Sequence, residues 1–279
     1  MEPIKGLNFT SRFTYKLENY FQKYYSVRRL EPGKPSDRNS LEYTSSRSTD
    51  WNFENTLTYD RIFNRHNLGL MASTTATEYG YRKFKVVGRD FENEDQSLMY
   101  FSQAGTFDPA SDQYLKDRNV SFVGRASYSW ADRYFVTGSW RRDYAGRLPQ
   151  GQKYGDFPSA TVAWKVTSEP FMPKSDVLNT LKLRASWGRI GNLGPISRGY
   201  GYPTLTSYIL GGGDVGSQVG INNPIAIGKY TSVGYNPLLT WETSEQLDLG
   251  IDMSLFNNRL SINADYFAKK TMDLIKEQD

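Results

Sequence analysis

The chain has 279 residues with no cysteine and a single histidine, His66. Without cysteine it can form neither a disulfide framework nor a thiolate metal site, and it has no cysteine nucleophile. A Ser-His-Asp triad would have to use His66, which stands beside a predicted tight turn. We therefore interpret His66 as a turn residue that forms a local hydrogen bond, and the sequence predicts no enzyme active site and no cofactor site.

Long apolar segments and a strong charge of one sign are also missing. No run of about 18 apolar residues, the length that a membrane-spanning helix needs, occurs in the sequence. The mean hydropathy is −0.62, but a transmembrane β-barrel has a polar lumen and polar loops, so this value leaves a barrel possible. With 34 basic and 30 acidic residues the net charge is +4. This mild excess does not indicate a nucleic-acid partner.

The residues that are abundant point to β-structure. Aromatic residues make up 15% of the sequence and glycine contributes 24 residues, which is typical of all-β proteins. From Leu7 to Leu17 large apolar residues occupy odd positions and polar residues even ones, the period-two pattern of a strand with one apolar and one wet face. About nine such segments occur, each near the ~9–11 residues that span a membrane. They begin at Leu7, Trp51, Leu68, Val120, Tyr134, Ala160, Leu181, Leu247 and Leu260.

The connections between these segments alternate between short and long. The short ones fall near Ile62–Arg65, at Ala131–Arg133 and at Phe256–Arg259, with a moderate one at Thr167–Thr180 that has room for a helical turn. The long ones are Ser26–Asp50, Glu78–Asn119, Tyr144–Asp156 and Arg189–Thr240. A soluble sandwich has no reason to sort loop lengths by end. The pattern predicts part of a large antiparallel transmembrane β-barrel, open as a fragment, with short periplasmic turns and long extracellular loops.

Aromatic residues cluster near the predicted strand ends. Tyr20, Phe21, Tyr24 and Tyr25 lie at one end, and Trp130 and Tyr134 flank a turn at the other. Such positions fit the aromatic girdles that border a barrel's apolar band. Ordinary strand aromatics are the alternative.

The polar positions of the strands are the first candidate site. We expect them to line the lumen, where they would hold water and contact a plug, and a plain solvent-exposed sheet face is the alternative. The residues are Arg12, Lys16, Arg125, Arg141, Arg184, Asp248 and Asp252.

An acidic stretch, Asp90 to Asp95, could in principle ligate calcium. We interpret it as a solvated charged loop, so no metal site is predicted.

At its turns and strand ends the sequence resembles the SusC/RagA family of TonB-dependent outer-membrane transporters from Bacteroidetes-type bacteria. Each motif is weak alone, but their order and spacing along nearly the whole chain make the set specific. The matching stretches include Lys5–Leu7, His66–Leu68, Asp132–Tyr134, Arg141–Asp143, Phe157–Ser159, Ala163–Lys165, Leu181–Gly188, Gly191–Asn192, Asn236–Pro237, Leu239–Thr243, Phe256–Leu260 and Lys269–Thr271.

The resemblance implies a plugged barrel in the outer membrane of a Gram-negative bacterium. It also implies energy supplied through TonB, a SusD-like surface lipoprotein as a lid, and uptake of glycans or peptides. The matching stretches do not extend to the plug, the TonB-contacting segment or the first and last barrel strands. We therefore expect residues 1–279 to be a segment of the barrel domain. A passive porin-like barrel or a surface adhesin without energy coupling is the alternative function.

Tyrosines in the longest predicted connection form the second candidate site. They lie among glycines, where their rings could stack on sugar faces and their hydroxyls could form hydrogen bonds. We expect some of them to contact substrate or the lipoprotein lid, and packing of the loop on itself is the alternative. The residues are Tyr200, Tyr202, Tyr208 and Tyr230.

Overall fold

The computed structural model describes residues 4–28, 38–173, 175–196 and 236–275, together with the backbone of 205–207 and 229–231. Within these residues the chain is all-β. The strands are β1 Leu7–Ser26, β2 Ser40–Phe63, β3 His66–Arg89, β4 Thr106–Phe107, β5 Ser111–Trp130, β6 Tyr134–Ala145, β7 Tyr154–Lys165, β8 Leu178–Asn192, β9 Leu205–Ser207, β10 Lys229–Thr231, β11 Glu242–Leu255 and β12 Leu260–Met272.

Helical structure in the described residues is limited to two short 3-10 turns, Phe101–Gln103 and Val166–Ser168. The second lies at the predicted moderate connection, where we expected a helical turn. Among the described helices none has the length and apolar character needed to cross a membrane.

Nine long strands form one antiparallel sheet in sequence order, and the two-residue strand β4 pairs with β3 as the tenth. β1 and β12 are the outer strands of this order, so the sheet is open. β9 and β10 form a separate two-stranded ribbon. The predicted fold class and the number of long strands are confirmed.

The short connections lie next to one another at one end of the sheet. The backbone N–H of Ala131 donates to the carbonyl of Arg65 at 2.7 Å, that of Lys165 donates to Arg133 at 2.8 Å, and that of Phe256 donates to Val177 at 2.9 Å. The turns place Asn64, Asp132 and Asn257 at positive φ, the backbone region that asparagine and aspartate tolerate best among residues with a side chain.

The long connections are shorter than the sequence predicted. β2 begins at Ser40 and not near Asp50, while β3 continues to Arg89 and β5 begins at Ser111. These three strand extensions lie in segments predicted as loop because charged residues occupy both faces of the strands here. Hydrophobic alternation is then lost although the backbone pairing continues.

The chain divides into two compact units. The larger comprises Met1–Asn8, Leu57–Ala72 and Ser121–Asp279, and the smaller comprises Phe9–Thr56 and Ser73–Val120. In the larger unit Ala145, Leu148, Phe157, Ile196 and Trp241 form a buried cluster. These residues come from strand ends and from the connections after β6 and β8, so part of each connection packs as a core.

The smaller unit has its own buried cluster at its connections, made of Leu41, Phe91 and Met99. Its centre is the fully buried Asn39. The Asn39 side chain accepts a hydrogen bond from the Phe91 backbone N–H at 2.7 Å and donates to the Phe91 carbonyl at 2.8 Å. One side chain thus satisfies both backbone groups of a buried residue. Tyr25, which we predicted in an aromatic girdle, packs instead against this cluster.

An ion pair between Arg38 and Asp90 stabilises the same connection outside the cluster. The Arg38 guanidinium donates to Asp90 through Nε, with an Nε to Oδ1 distance of 2.8 Å, and the Thr106 hydroxyl donates to Oδ2 at 2.9 Å. These hydrogen bonds, that from Arg38 first, lower the pKa of Asp90 from 3.8 to about 2. A hydrogen bond from Arg89 likewise lowers the pKa of Asp108. The folded connection therefore favours ionised carboxylates.

We expect Asn39→Ala to loosen the connection after β3. The substitution leaves the buried Phe91 N–H and carbonyl without their partner, which costs about 1–3 kcal/mol, so exchange of the Phe91 amide hydrogen should accelerate roughly five- to 150-fold. Hydrogen exchange measured by mass spectrometry on peptides covering this residue checks the change. Asn67→Ala, at an exposed strand position, is the control, and equal exchange in both variants would contradict the assigned role of Asn39.

We also expect acid to open this connection. Because the folded pKa of Asp90 is depressed, its ion pair contributes stability that is complete above about pH 4 and is lost as the pH falls towards about 2. Pepsin cleavage within residues 90–110, normalised to a reference peptide, should rise over this interval. In Asp90→Asn the rise should be smaller but present, because Asp108 titrates in the same direction. A rise that is identical in the two proteins would refute the assignment to Asp90.

Candidate functional site on the polar face

The strand registers show which side chains share a face in β6, β7, β8, β11 and β12. Residues directly opposite in an antiparallel pair point to the same side of the sheet. One side, the apolar face, carries Tyr134, Val136, Trp140, Val162, Trp164, Leu183, Ala185, Trp187, Leu249, Ile251 and Tyr266. The opposite side, the polar face, carries Thr137, Ser139, Arg141, Ser159, Thr161, Lys182, Arg184, Ser186, Asp248, Asp252, Asp265 and Phe267.

The apolar face is bordered at the turn end by a row of aromatic rings. Trp130 stacks on Tyr134 with ring centroids 5.8 Å apart, and Tyr134 stacks on Trp164 at 6.4 Å with the ring planes 4° apart. The Trp164 indole N–H donates to the buried Glu169 at 3.0 Å, which anchors the row. The row has the form of an interfacial aromatic girdle, and it includes the predicted Trp130 and Tyr134.

Towards the loop end, aromatic residues and charges border the same face. The Arg142 guanidinium lies 5.4 Å from the centre of the Trp140 ring and pairs with Asp156, with an NH2 to Oδ2 distance of 2.8 Å. Between the two borders lie aliphatic residues such as Val136 and Val162, both about half exposed. An apolar band between aromatic borders is the arrangement of a lipid-facing barrel surface.

The polar face holds an ion-pair network centred on Arg184. Its guanidinium binds Asp252 through two hydrogen bonds, Nε to Oδ2 and NH2 to Oδ1, each 2.8 Å long. The same NH2 group donates to Asp265 on β12 at 2.9 Å. One arginine on β8 thus binds two carboxylates on the next two strands, and its pair with Asp252 has the bidentate geometry that gives strong ion pairs.

Gly250 makes the contact between Arg184 and Asp265 possible. It lies directly between Arg184 on β8 and Asp265 on β12 in the register of the sheet. A Cβ atom at this position would stand 2.8 Å from the Arg184 Cζ atom and would collide with the Asp265 carboxylate. The missing side chain therefore opens the path by which Arg184 reaches across β11.

Two other predicted residues are held in polar contacts on this face. Asp248 accepts hydrogen bonds from Ser186 Oγ at 3.2 Å and from Gln246 Nε2 at 2.7 Å. Arg141 Nε contacts Asp143 at 2.7 Å, and its NH2 group donates to Ser121. The structure therefore brings Arg184, Asp248 and Asp252 together and places Arg141 two strands away on the same face.

The remaining predicted polar residues lie on β1 and β5. Lys16 pairs with Glu18 at 2.7 Å, and Ser48 of β2 also donates to Glu18. Arg12 lies four residues before Lys16 in β1, so the two residues share a face of that strand. Arg125 lies in β5 between Gly124 and Ala126. Their orientation towards a lumen stays a prediction.

The second predicted site lies outside the described residues. This holds for Tyr200, Tyr202 and Tyr208, while for Tyr230 the structure describes only the backbone, in β10. Their contact with substrate or a lid also stays a prediction.

His66 and the acidic stretch have structural contacts. His66 Nδ1 lies 2.6 Å from the Tyr128 hydroxyl, and its ring stacks on Phe63 at 5.2 Å. The hydrogen bond joins β3 to β5 and is not local, contrary to our expectation.

In the acidic stretch Glu94 contacts Arg28 and Asn39. Among the described residues no group of three or more histidines or carboxylates is arranged to hold a metal ion.

Sequence reasoning missed Phe267. The residue lies opposite Asp248 on the polar face, and 66% of it is exposed. The signal was present, since the adjacent aromatics Tyr266 and Phe267 interrupt the alternation of β12 and must point to opposite faces.

We expect Gly250→Ala to break the contact between Arg184 and Asp265. The added methyl group displaces the guanidinium, and crowding of this kind costs about 1–3 kcal/mol. The urea midpoint for unfolding of the full-length receptor in detergent micelles should fall. Gly124→Ala is the matched control, because a Cβ atom there meets no atom within 4 Å. Equal midpoints for the two variants would show that Gly250 has no such role.

Comparison with known proteins identifies the family. The family model described as TonB dependent receptor-like, beta-barrel, matches residues 4–279. TonB-dependent receptor P3 of Formosa agariphila is 34% identical over 284 residues, covering 98% of this chain and 26% of that protein. TonB-dependent receptor SusC of Bacteroides thetaiotaomicron is 30% identical over 164 residues, covering 56% of this chain and 15% of that protein.

A solved structure of the RagAB peptide transporter matches with a TM-score of 0.80 and 23% identity, covering 96% of this chain and 28% of that chain. At this identity the likeness shows the fold alone. The chain spans about a quarter of the length of the curated relatives that match it over most of its length. The family match over nearly the whole chain shows that it belongs to the TonB-dependent receptor β-barrel family of Gram-negative outer-membrane proteins, with the similarity to SusC and RagA that its motifs predicted.

Proposed function

We propose that this chain forms part of the barrel wall of a TonB-dependent nutrient importer in the outer membrane. Its apolar face contacts lipid and its polar face lines the lumen. The tight turns lie on the periplasmic side and the long connections on the cell surface. The observation that carries this proposal is the separation of the two faces in the registers of β6, β7, β8, β11 and β12, with aromatic residues at both borders of the apolar face.

The proposal includes a longer receptor around this segment. The relatives are about four times as long as the stretch that matches them, and β1 and β12 each have only one neighbour in the described sheet. Unpaired strand edges are unfavourable in hydrocarbon, where each unsatisfied amide costs several kcal/mol. Further strands of the receptor would pair with these edges, and a plug domain would fill the lumen and contact TonB.

The cargo of the proposed importer is a glycan or a peptide, delivered through a SusD-like surface lipoprotein. The match to the RagAB peptide transporter supports a peptide cargo, and the resemblance to the SusC/RagA family extends the range to glycans and supports this kind of partner. Arg12, Lys16, Arg125 and Arg141 would belong to the lumen wall with the Arg184 network, and the loop tyrosines would face the lid. Family membership favours energy-coupled uptake over a passive porin or an adhesin. Loss of uptake in a strain without TonB separates these functions.

Labelling of single cysteines tests the orientation of the wall. Thr161 and Val162 are neighbours in β7, both are exposed in the chain, and they point to opposite faces. In the full-length receptor in membranes, a membrane-impermeant maleimide should modify Thr161→Cys through the aqueous lumen and should leave Val162→Cys unmodified in hydrocarbon. Labelling of the unsubstituted receptor gives the background signal. This chain adds nothing to that signal, because it contains no cysteine.

Two outcomes decide the proposal. Labelling of Thr161→Cys alone in membranes, with both variants labelled after denaturation, supports it. Equal labelling of the two variants in membranes would overturn it, because both faces would then be in water, as in a soluble sheet.

A further inference from the structure

Three charged residues form a row on the apolar face at its loop end. The registers place Arg189 of β8, Glu245 of β11 and Lys270 of β12 side by side, on the same face as Leu249 and Tyr266. We call these three residues the charged row. A charge that contacts hydrocarbon is unfavourable, and the cost falls towards the borders of the membrane. In the proposed wall the charged row therefore lies at the level of the lipid headgroups.

The position of Lys270 along its strand agrees with this level. β12 has 13 residues, from Leu260 directly after the tight turn to Met272, and Lys270 stands two residues before its end. A β-strand needs about 9–11 residues to cross a membrane. When the turn lies at the periplasmic border, Lys270 therefore lies at the cell-surface border.

The carboxylate of the charged row already has its partners. Glu245 Oε1 accepts a hydrogen bond from the Trp187 indole N–H, and Oε2 accepts one from Arg189 NH2, each 3.0 Å long. Lys270 is exposed, and within the described part of the chain its ammonium group forms no hydrogen bond or ion pair. The row thus holds two cations and one anion, and the charge of Lys270 is left for an external anion.

Arg189 also keeps hydrogen-bonding capacity. Arg142, another arginine at this border, binds Asp156 through both Nε and NH2, at 2.9 and 2.8 Å. Arg189 contacts Glu245 through NH2 alone, and its Nε has no hydrogen-bond partner among the described residues. Because a guanidinium has five N–H donors, that of Arg189 retains unused donors in the same row as the Lys270 ammonium. A positive charge together with free donors is suited to a phosphate group.

We propose that Arg189 and Lys270 bind the phosphate of an outer-leaflet glycolipid, lipid A, on the outside of the barrel. The acyl chains lie on the apolar residues next to the charged row towards the turns. These include Leu247 and Ala268, which are opposite each other in the register. The Trp187 ring stands at the headgroup level, as aromatic girdle residues do. The inference rests on the proposed orientation of the two faces, and the site lies on the face opposite to the lumen.

Charge complementarity selects this occupant. The charged row has one positive charge in excess, and basic residues near a membrane surface are attracted by anionic headgroups. A zwitterionic headgroup carries no net charge that would balance this excess. An ion free in solution would leave the adjacent apolar surface without a partner. An unpaired cation beside an apolar surface therefore fits an anionic amphiphile.

The test measures lipid binding by the full-length receptor, freed of lipid and kept in detergent, by native mass spectrometry. The probe is monophosphoryl lipid A, and the same lipid without its phosphate is the comparison. Lys270→Gln removes the unpaired charge and should weaken binding of the phosphorylated lipid about fivefold, the effect of one basic residue near an anionic surface. Lys269→Gln is the matched control, because Lys269 is the adjacent exposed lysine on the polar face.

A second variant separates the site from a loss of stability. Glu245→Gln removes the negative charge of the row, so it should strengthen binding of the phosphorylated lipid by a similar factor. A change that only damaged the fold would weaken binding instead. Lys270→Arg keeps the charge and should bind as the unsubstituted receptor does.

Three results would overturn the site. Equal affinities in Lys270→Gln and Lys269→Gln would show that the Lys270 side chain only reaches into water. Equal binding of the lipid with and without its phosphate would remove the role of the charges. Displacement of the lipid by inorganic phosphate at the same concentration would indicate a simple anion site.

Each of these results leaves the proposed importer standing. Equal labelling of Thr161→Cys and Val162→Cys in membranes would overturn the proposed wall itself, so failure of the lipid site and failure of the proposed function are distinguishable.

Discussion

The pairing of every interior strand with its two neighbours is the constraint on which the rest of the structure depends. It satisfies the backbone groups of β2, β3, β5, β6, β7, β8 and β11 within the sheet, which is the condition for a strand to lie in hydrocarbon. With the backbone fixed, side chains can point only to one face or the other. A shift of register by one residue would move Leu249 to the polar face and Asp248 to the apolar face, so in the proposed wall burial of the apolar face in lipid would fix the register.

The same register determines where charges can lie on the polar face. Arg184 is too far from Asp265 to be a direct neighbour, because β11 stands between their strands. The pair forms only because position 250 has no side chain. The glycine therefore has an electrostatic role, since it allows one guanidinium to contact two carboxylates across three strands. The guanidinium thereby offsets one of the two carboxylate charges at this point of the polar face.

The sequence was sufficient for the features that depend on alternation and turns, and insufficient for those that depend on contacts distant in sequence. The nine long strands, the three short connections and the moderate one could be predicted because each follows from a local pattern. The bounds of β2, β3 and β5 could not, since alternation ends where both faces are polar. Asn39 looked like any polar residue before a strand, and its role depends on Phe91, which lies 52 residues away. The role of Gly250 likewise depends on two other strands.

Phe267 shows how an exception to the pattern can carry information. Tyr266 obeys the alternation of β12, so its exposure is explained by lipid in the proposed wall. Phe267 is equally exposed on the polar face, which lines the lumen in the proposed wall, so that water would surround its ring. A single exposed aromatic residue needs no special explanation. Here, however, the residue is the cross-strand partner of Asp248, which accepts hydrogen bonds from Ser186 and Gln246. The exception to the alternation therefore marks a position where an aromatic residue and a hydrogen-bonded carboxylate share the polar face, which the pattern of the other strands does not predict.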